Sequence, residues 1–214
     1  MSGGDGRYDL MRKVHARHVF THRAQALSLL LAEQVRGHAA VLDIGCGSGE
    51  IGRRVMELAD GVEITGLDIM KREGCLIPCR EFDGRKIPMG DDAVDLCVFV
   101  DVLHHADGAE ELLREAARVS RKGILIKDHL CESAFDRATL KFMDWVGNRP
   151  RGVVLPCSYL SSGQWRDLFR SLALTVSLRH DRLKLYPGPA NLVFGRGLHF
   201  IALVEKGTVL SAGD

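Results

Sequence analysis

From position 41 onward, short runs of consecutive apolar residues alternate with stretches in which apolar residues recur every three or four positions. That alternation predicts βαβ units and a parallel sheet. Val41–Ile44 reads as a short buried strand, and Ile51, Val55 and Leu58 give the next segment a helical face. Strands follow at Val62–Asp68, Cys79–Phe82 and Val94–Asp101, the last being a continuous apolar run of the kind buried on both faces. Asp107 and Glu110 have capping-box spacing ahead of a helix with an apolar stripe of Leu112, Leu113, Ala116 and Ala117. Lys122 and Gly123 mark a turn into a fifth strand, Gly123–Lys127.

The alternation is then interrupted. Between Asp128 and Leu160 lies an insertion with its own helix, in which Phe135, Phe142, Met143 and Val146 share a face. Ser161 and Gln164 cap a further helix carrying Trp165, Leu168, Phe169 and Leu172, and two strand-like runs follow, Leu174–Tyr186 and Leu198–Glu205. Ahead of the core, Tyr8–Phe20 and His22–Arg36 read as two helices separated by a Thr21 cap, the second with an apolar face of Ala24, Leu27, Leu30, Leu31 and Val35. Residues 1–6 and those after Lys206 read as poorly ordered ends. The expected layout is one domain over 1–214: a helical cap (1–38), a core (39–129), an insertion or lid (130–160) and a closing helix with strands (161–206).

Composition narrows the function classes. The 214 residues carry a net charge of +1, with 46% hydrophobic and 27% charged residues, which fits one globular domain. Such a balance argues against broad capture of nucleic acid, although Arg7, Arg12, Lys13, Arg17 and Arg23 make the amino-terminal segment locally basic. No run approaches the ~20 apolar residues that span a bilayer, and MSGGDGRYDL has no signal pattern, so a cytoplasmic location is expected. The six cysteines, at 46, 75, 79, 97, 131 and 157, are scattered, so most should be reduced. Cys75 and Cys79 form the only close pair and lack a matching second one, so no metal is expected.

The candidate chemistry centres on VLDIGCGSG, residues 41–49. Glycines at 45, 47 and 49 let the backbone turn sharply beside a ligand, and the helix that follows aims its free N–H groups at the same place. A tight turn with no ligand would look the same. Asp68, ending the second strand, is placed to accept hydrogen bonds from ribose hydroxyls, or else to cap a local turn. A nicotinamide site would have G-x-G-x-x-G, whereas here the order is G-x-G-x-G behind Asp43.

With the stretch FDGRKIPMGDDAVDLCVFVDVLHH and the two closing strands, these features resemble the class I S-adenosylmethionine-dependent methyltransferases, particularly the ubiquinone and menaquinone biosynthesis branch. The resemblance is best over about residues 40 to 127. It implies a Rossmann-like α/β fold whose sheet has seven strands, mostly parallel with the last antiparallel, helices on both faces and an N-terminal helical cap. It implies S-adenosyl-L-methionine as cofactor. Asp43, Gly45 and Gly47, with Cys46 between them, would face its methionine end. Asp68 would hold the ribose with Ile69 alongside, Asp83 the adenine amino group and Gly84 the ring edge, while Asp101 would lie beside the sulfonium. Asp83 as a simple loop cap remains open.

The same resemblance expects an acceptor above the ends of the fourth and fifth strands, where Asp101, His104, His105, Lys127, Asp128 and His129 gather. Methyl transfer from a sulfonium mainly needs orientation and, for a protonated acceptor, a base. His129 is the first choice for that base, with Asp101 and His105 as further catalytic candidates. The fourth strand ends without the Asn/Asp-Pro-Pro-aromatic motif of base and glutamine methyltransferases. A Mg²⁺ ion between Asp101 and Asp128 is a weaker alternative. Phe142, Trp145, Leu155 and Tyr159 would form an apolar lid with Asp144, Asn148 and Arg151 as polar contacts, and Tyr8, Arg12 and Arg23 offer cationic or aromatic contacts from the cap. A small-molecule acceptor fits best. A non-catalytic binding protein of the same fold is the main rival, and an RNA acceptor would need a basic tract that the charge balance does not provide.

Overall fold

The structure, a computed structural model, describes residues 21–148, 157–188 and 190–207. The predicted helix at Tyr8–Phe20, the lid positions Leu155 and Arg151 and both chain ends fall outside that range. Helix α1 (residues 21–35) leads into β1 (Ala40–Ile44), α2 (Glu50–Leu58), β2 (Glu63–Asp68), β3 (Cys79–Glu81) and β4 (Val94–Val100). After a short 3-10 turn at Leu103–His105 come α3 (Ala109–Val119), β5 (Ser120–His129), α4 (Ala134–Asn148), α5 (Ser162–Ser171), β6 (Leu174–His180), α6 (Ala190–Phe194) and β7 (His199–Lys206).

The strands form one sheet in the order β3-β2-β1-β4-β5-β7-β6. β1 to β5 pair in parallel, while β7 runs antiparallel to both β5 and β6. This is the expected seven-stranded sheet with its last strand reversed. Alternation along each strand sorts side chains to two faces. Leu42, Ile44, Cys97, Phe99, Ile124 and Ile126 join α3 and α5 residues on one side, including Leu113, Trp165 and Phe169. Val41, Ile64, Leu96, Val98 and Leu125 join Leu27, Leu31 and Val35 of α1 and Val55 of α2 on the other. Both faces are therefore covered, and β4 is buried from Val94 through Phe99, as its apolar run predicts.

Several local expectations change. Leu58 is 41% exposed because Val55 and Ala59, four residues apart, form the face that α2 buries. Gly108, not Asp107, is the N-cap of α3, with no side-chain cap bond, so the Asp107–Glu110 capping box does not form. No turn separates α3 from the fifth strand. β5 begins at Ser120, and a register shift between Val94 and Leu96 absorbs the irregularity. Gly123 serves a different purpose, since a Cβ there would lie 2.5 Å from the Val204 carbonyl on β7. Thr21 is already helical, and α1 lies along one sheet face with only its amino end near the strand termini. The expected buried face of α4 points largely outward, with Phe135 67% and Phe142 52% exposed, because Leu140 holds the helix to Tyr159 and Leu198. The strand expected over Leu174–Tyr186 stops at His180, after which Leu183 and Leu185 plug the α1 side of the core. The capping box of Ser161 and Gln164 forms as expected.

Candidate active site

In this strand order the chain leaves β1 and β4 toward opposite sides, which opens a crevice at their carboxyl ends. The loop after β1 lines it. Gly45 (φ 77°) and Gly47 (φ 58°) adopt left-handed backbone, and the Gly45 and Cys46 amides donate to the Leu67 carbonyl at 2.7 and 3.1 Å. A Cβ on Gly45 would lie 2.4 Å from the Val102 side chain, so the loop can press against the end of β4 only with glycine there. A Cβ on Gly47 would meet nothing closer than 3.9 Å, which leaves that flank open to a ligand.

Two carboxylates, Asp43 and Asp68, border this loop, and a third, Asp83, follows β3. Asp43 is buried within β1 and accepts no hydrogen bond among the described residues; burial, with Asp68 nearby, pushes it up to about 7. Asp68 accepts from the Gly47 amide at 2.8 Å and the Met70 amide at 3.1 Å, which leaves acceptor capacity on both oxygens. Beyond it, Ile69 and Met70 are more than half exposed and offer an apolar shelf. Asp83 caps the amides of Arg85 and Lys86 through one oxygen, both at 2.8 Å, and those bonds hold it below the usual carboxylate range. The neighbouring Gly84 (φ 77°) lies against Ile69, whose methyl would be 3.0 Å from a Cβ on Gly84.

The opposite wall is a polar cluster at the ends of β4 and β5. Asp101 has left-handed backbone (φ 56°), and its carboxylate pairs with Arg23 of α1 and with Lys127 of β5. Lys127 is buried, and that burial, with Arg23 beside it, lowers its pKa well below the ordinary lysine value. Its Nζ also lies 3.3 Å from Nδ1 of His199, whose Nε2 donates to the Phe194 carbonyl at 2.9 Å. Asp128, fully buried, accepts from the Leu103 amide at 3.1 Å, the His129 amide at 2.7 Å and His104 Nδ1 at 2.7 Å. Burial opposes its charge, but His104 and the hydrogen bonds from both histidines hold it well below the usual range.

The histidines thus separate into distinct environments. His129 is buried and lies 3.8 Å from Asp101; burial and then Lys127 lower its pKa to about 3, so it is a weak proton acceptor. His104 donates from Nδ1 to Asp128, which leaves Nε2 as a bare acceptor. That buried nitrogen has no hydrogen-bond partner among the described residues and lies 3.6 Å from Asp144 of α4, whose carboxylate also accepts from the Tyr159 hydroxyl. His105 packs on His104 with ring centroids 3.9 Å apart. Asp101 and Asp128 are each satisfied by separate cations and donors, an arrangement that does not suit a shared Mg²⁺. Phe142 and Trp145 of the expected lid are exposed on α4, whereas Tyr159 is buried against the histidines.

All the sequence-predicted cofactor positions, Asp43, Gly45, Cys46, Gly47, Asp68, Ile69, Asp83, Gly84 and Asp101, lie at the carboxyl ends of β1 to β4 or just beyond them. His105 and His129 join Asp101 on the far wall. Sequence reasoning misses His199 and the role of Arg23. His199 faces His129 only through the β5–β7 register, and nothing local distinguishes Arg23 from other cap cations.

The family model described as a methyltransferase domain matches residues 42–126. Over 102 residues the chain is 30% identical to 27-O-demethylrifamycin SV methyltransferase of Amycolatopsis mediterranei, a match covering 42% of this chain and 37% of that protein. The chain therefore spans well under half of the length of this relative. Among solved structures it resembles a possible histamine N-methyltransferase of Thermotoga maritima (TM-score 0.61, 17% identity, 93% of this chain and 98% of that one). It equally resembles the [4+2]-cyclase SpnF (TM-score 0.61, 17% identity, 85% and 80%). These likenesses show the fold alone. The open flank at Gly47, the acceptor capacity of Asp68 and the unpaired Asp43 carboxylate suit a cofactor with a ribose and a cationic methionine end. Over residues 42–126 the chain matches a methyltransferase domain, and S-adenosylmethionine is the cofactor that goes with such a domain.

Proposed function

We propose that this protein transfers the methyl group of S-adenosylmethionine to an oxygen, nitrogen or carbon of a small molecule. The observation that carries the reading is the buried His104–Asp128 pair beside the cofactor crevice, with the free Nε2 lone pair on its far side. The ring is held with Nδ1 2.7 Å from Asp128 and Nε2 3.6 Å from Asp144, so a fixed nitrogen faces the acceptor side. His104 therefore replaces His129 as the proposed base. His129 and His105 become positioning residues that pack against it, and Asp101, held by Arg23 and Lys127, orients the mouth of the cofactor site. Asp43, Gly45 and Gly47 would hold the methionine end, Asp68 and Ile69 the ribose side, and Asp83 and Gly84 the adenine. When bound, the cofactor supplies an activated methyl group; the chain supplies orientation and a proton acceptor.

The insertion at 130–160 would form the acceptor wall, through Asp144 and Tyr159. A small acceptor is supported by the modest net charge and by the 27-O-demethylrifamycin SV in the relative's name. The quinone-biosynthesis branch rests on the sequence motifs alone. No helix among the described residues is long and apolar enough to cross a membrane. The likeness to SpnF is compatible with a non-methylating rival, but it is a likeness of fold only.

Incubating a cell extract with the protein and methyl-labelled S-adenosylmethionine tests this reading. Label should appear in the low-molecular-weight fraction and disappear with His104→Ala. Label confined to protein or RNA, or unchanged transfer by His104→Ala, would contradict it.

A further inference from the structure

Three cysteine thiols at the glycine loop take no part in the methyl transfer proposed above. Cys46 lies in the loop itself, Cys79 opens β3 and Cys75 lies in the connection between β2 and β3. The parallel register sets Cys79 beside Gly66 on β2. Gly66 has no side chain to fill the space above it, and Cys46 does so: a Cβ at 66 would lie 2.4 Å from the Cys46 sulfur. Cys75 comes in over Gly49, where a Cβ would be 3.0 Å from its sulfur, and its neighbour Leu76 is tied to the loop by a 2.9 Å bond to the Ser48 carbonyl. Two glycines and one register thus converge three thiols. The Cys46 and Cys79 sulfurs are 3.4 Å apart, and all three lie within 4.8 Å of one another. Thiolates bound tetrahedrally at ~2.3 Å from one zinc ion stand roughly 3.8 Å apart, within that spread.

We propose that Cys46, Cys75 and Cys79 form a zinc(II) site of three protein thiolates, with the fourth position left to solvent. All three cysteines are free and half-buried, so an ion can reach them without unfolding the loop. Binding exchanges three S–H protons for one Zn²⁺, giving a centre of net charge −1 and releasing three protons. A monovalent ion such as Cu(I) would leave −2 beside the carboxylates of Asp43 and Asp68, so the surroundings favour the dication. Burial and these carboxylates keep the empty site protonated: Asp43 acts on Cys46, and Asp68 on Cys79. Metal binding should therefore strengthen with rising pH. The isolated C-x-x-x-C spacing hides this site, because the third ligand comes from a loop 29 residues earlier than Cys75. The zinc would tie the loop to β3, and it does not depend on methyl transfer.

The test uses the full chain, stripped of metal under reducing conditions and titrated with Zn²⁺ against a chromogenic indicator. One equivalent should bind. Co²⁺ in its place should give thiolate-to-metal charge-transfer absorption, and Zn²⁺ should protect these three cysteines from alkylation as mapped by mass spectrometry. Cys46→Ser, Cys75→Ser and Cys79→Ser should each weaken binding by more than about tenfold, whereas Cys131→Ala should not. The alkylation map on the unmutated chain decides the matter even if a variant fails to fold. No stoichiometric zinc, binding of Cu(I) alone, or full affinity in Cys46→Ser, which would move the metal to the His104–His105–Asp144 group, would overturn the proposal.

Discussion

Asp43→Asn should make the cofactor-free protein more stable at pH 8 while weakening its hold on S-adenosylmethionine. Burial beside Asp68 raises Asp43 from 3.8 to about 7, so the folded chain keeps a proton that the unfolded chain releases. Stability attributable to this group is therefore full below the unfolded value and falls as pH rises toward about 7. At about 1.4 kcal/mol per unit, the ionised carboxylate costs on the order of 4 kcal/mol at the alkaline end. Asparagine removes that cost, less whatever its amide fails to bond, so the melting temperature at pH 8 should rise by about 5–10 °C. In the proposed site the same carboxylate would meet the cationic methionine end of the cofactor, and its loss should weaken binding about tenfold or more. Thermal melts from pH 5 to 8 would show the pH slope flatten in the variant. An unchanged slope would mean that Asp43 is already ionised and paired in the free protein.

Asp128→Asn should have the opposite balance of effects. Asp128 anchors His104, His129 and the Leu103 amide in a fully buried position, and its stability contribution, present above 3.8, is lost only as pH falls toward its depressed folded value. Breaking such a buried pair costs about 3–5 kcal/mol, or about 10 °C in a chain of this length. An asparagine has one acceptor oxygen for these donors: with its NH2 toward the Leu103 amide it sets two donors against each other, and flipped it presents a donor to His104 Nδ1 and selects the other tautomer, so transfer should drop about 10²–10⁴-fold if His104 is the base. Cofactor affinity should hardly move, because Asp128 touches none of the groups around the glycine loop. A melting temperature and turnover both equal to those of the unmutated chain would remove the pair from the mechanism.

What could be read from the sequence follows from the range of each signal. The glycine loop and the Ser161 cap are local, and the apolar run of β4 identifies a strand covered on both faces, so all three are legible in a single chain. Asp68 is legible because one βαβ repeat sets its distance from the loop. The face of α4 is misread because Phe135, Phe142 and Val146 outnumber Leu140 in the pattern, although it is Leu140, with Thr139 beside it, that is buried, and the stacking of Phe142 on Phe194 comes from a distant segment. The Asp107 capping box fails because such motifs depend on backbone angles at a single residue, and Gly108 takes that place. His199 opposite His129 and Cys79 beside Gly66 depend on strand register, which no local pattern encodes. The choice between His104 and His129 likewise rests on burial and on which ring nitrogen meets Asp128.

The central claim is that the carboxyl ends of β1 and β2 hold the methionine and ribose of S-adenosylmethionine. Isothermal titration calorimetry of the full chain and of Asp68→Ala, with S-adenosylmethionine, S-adenosylhomocysteine and NAD, tests it most directly. Both adenosyl ligands should bind, NAD should not, and Asp68→Ala should lose about tenfold or more in affinity while keeping its circular dichroism spectrum. Binding of NAD alone, or unchanged affinity in a folded Asp68→Ala, would contradict it.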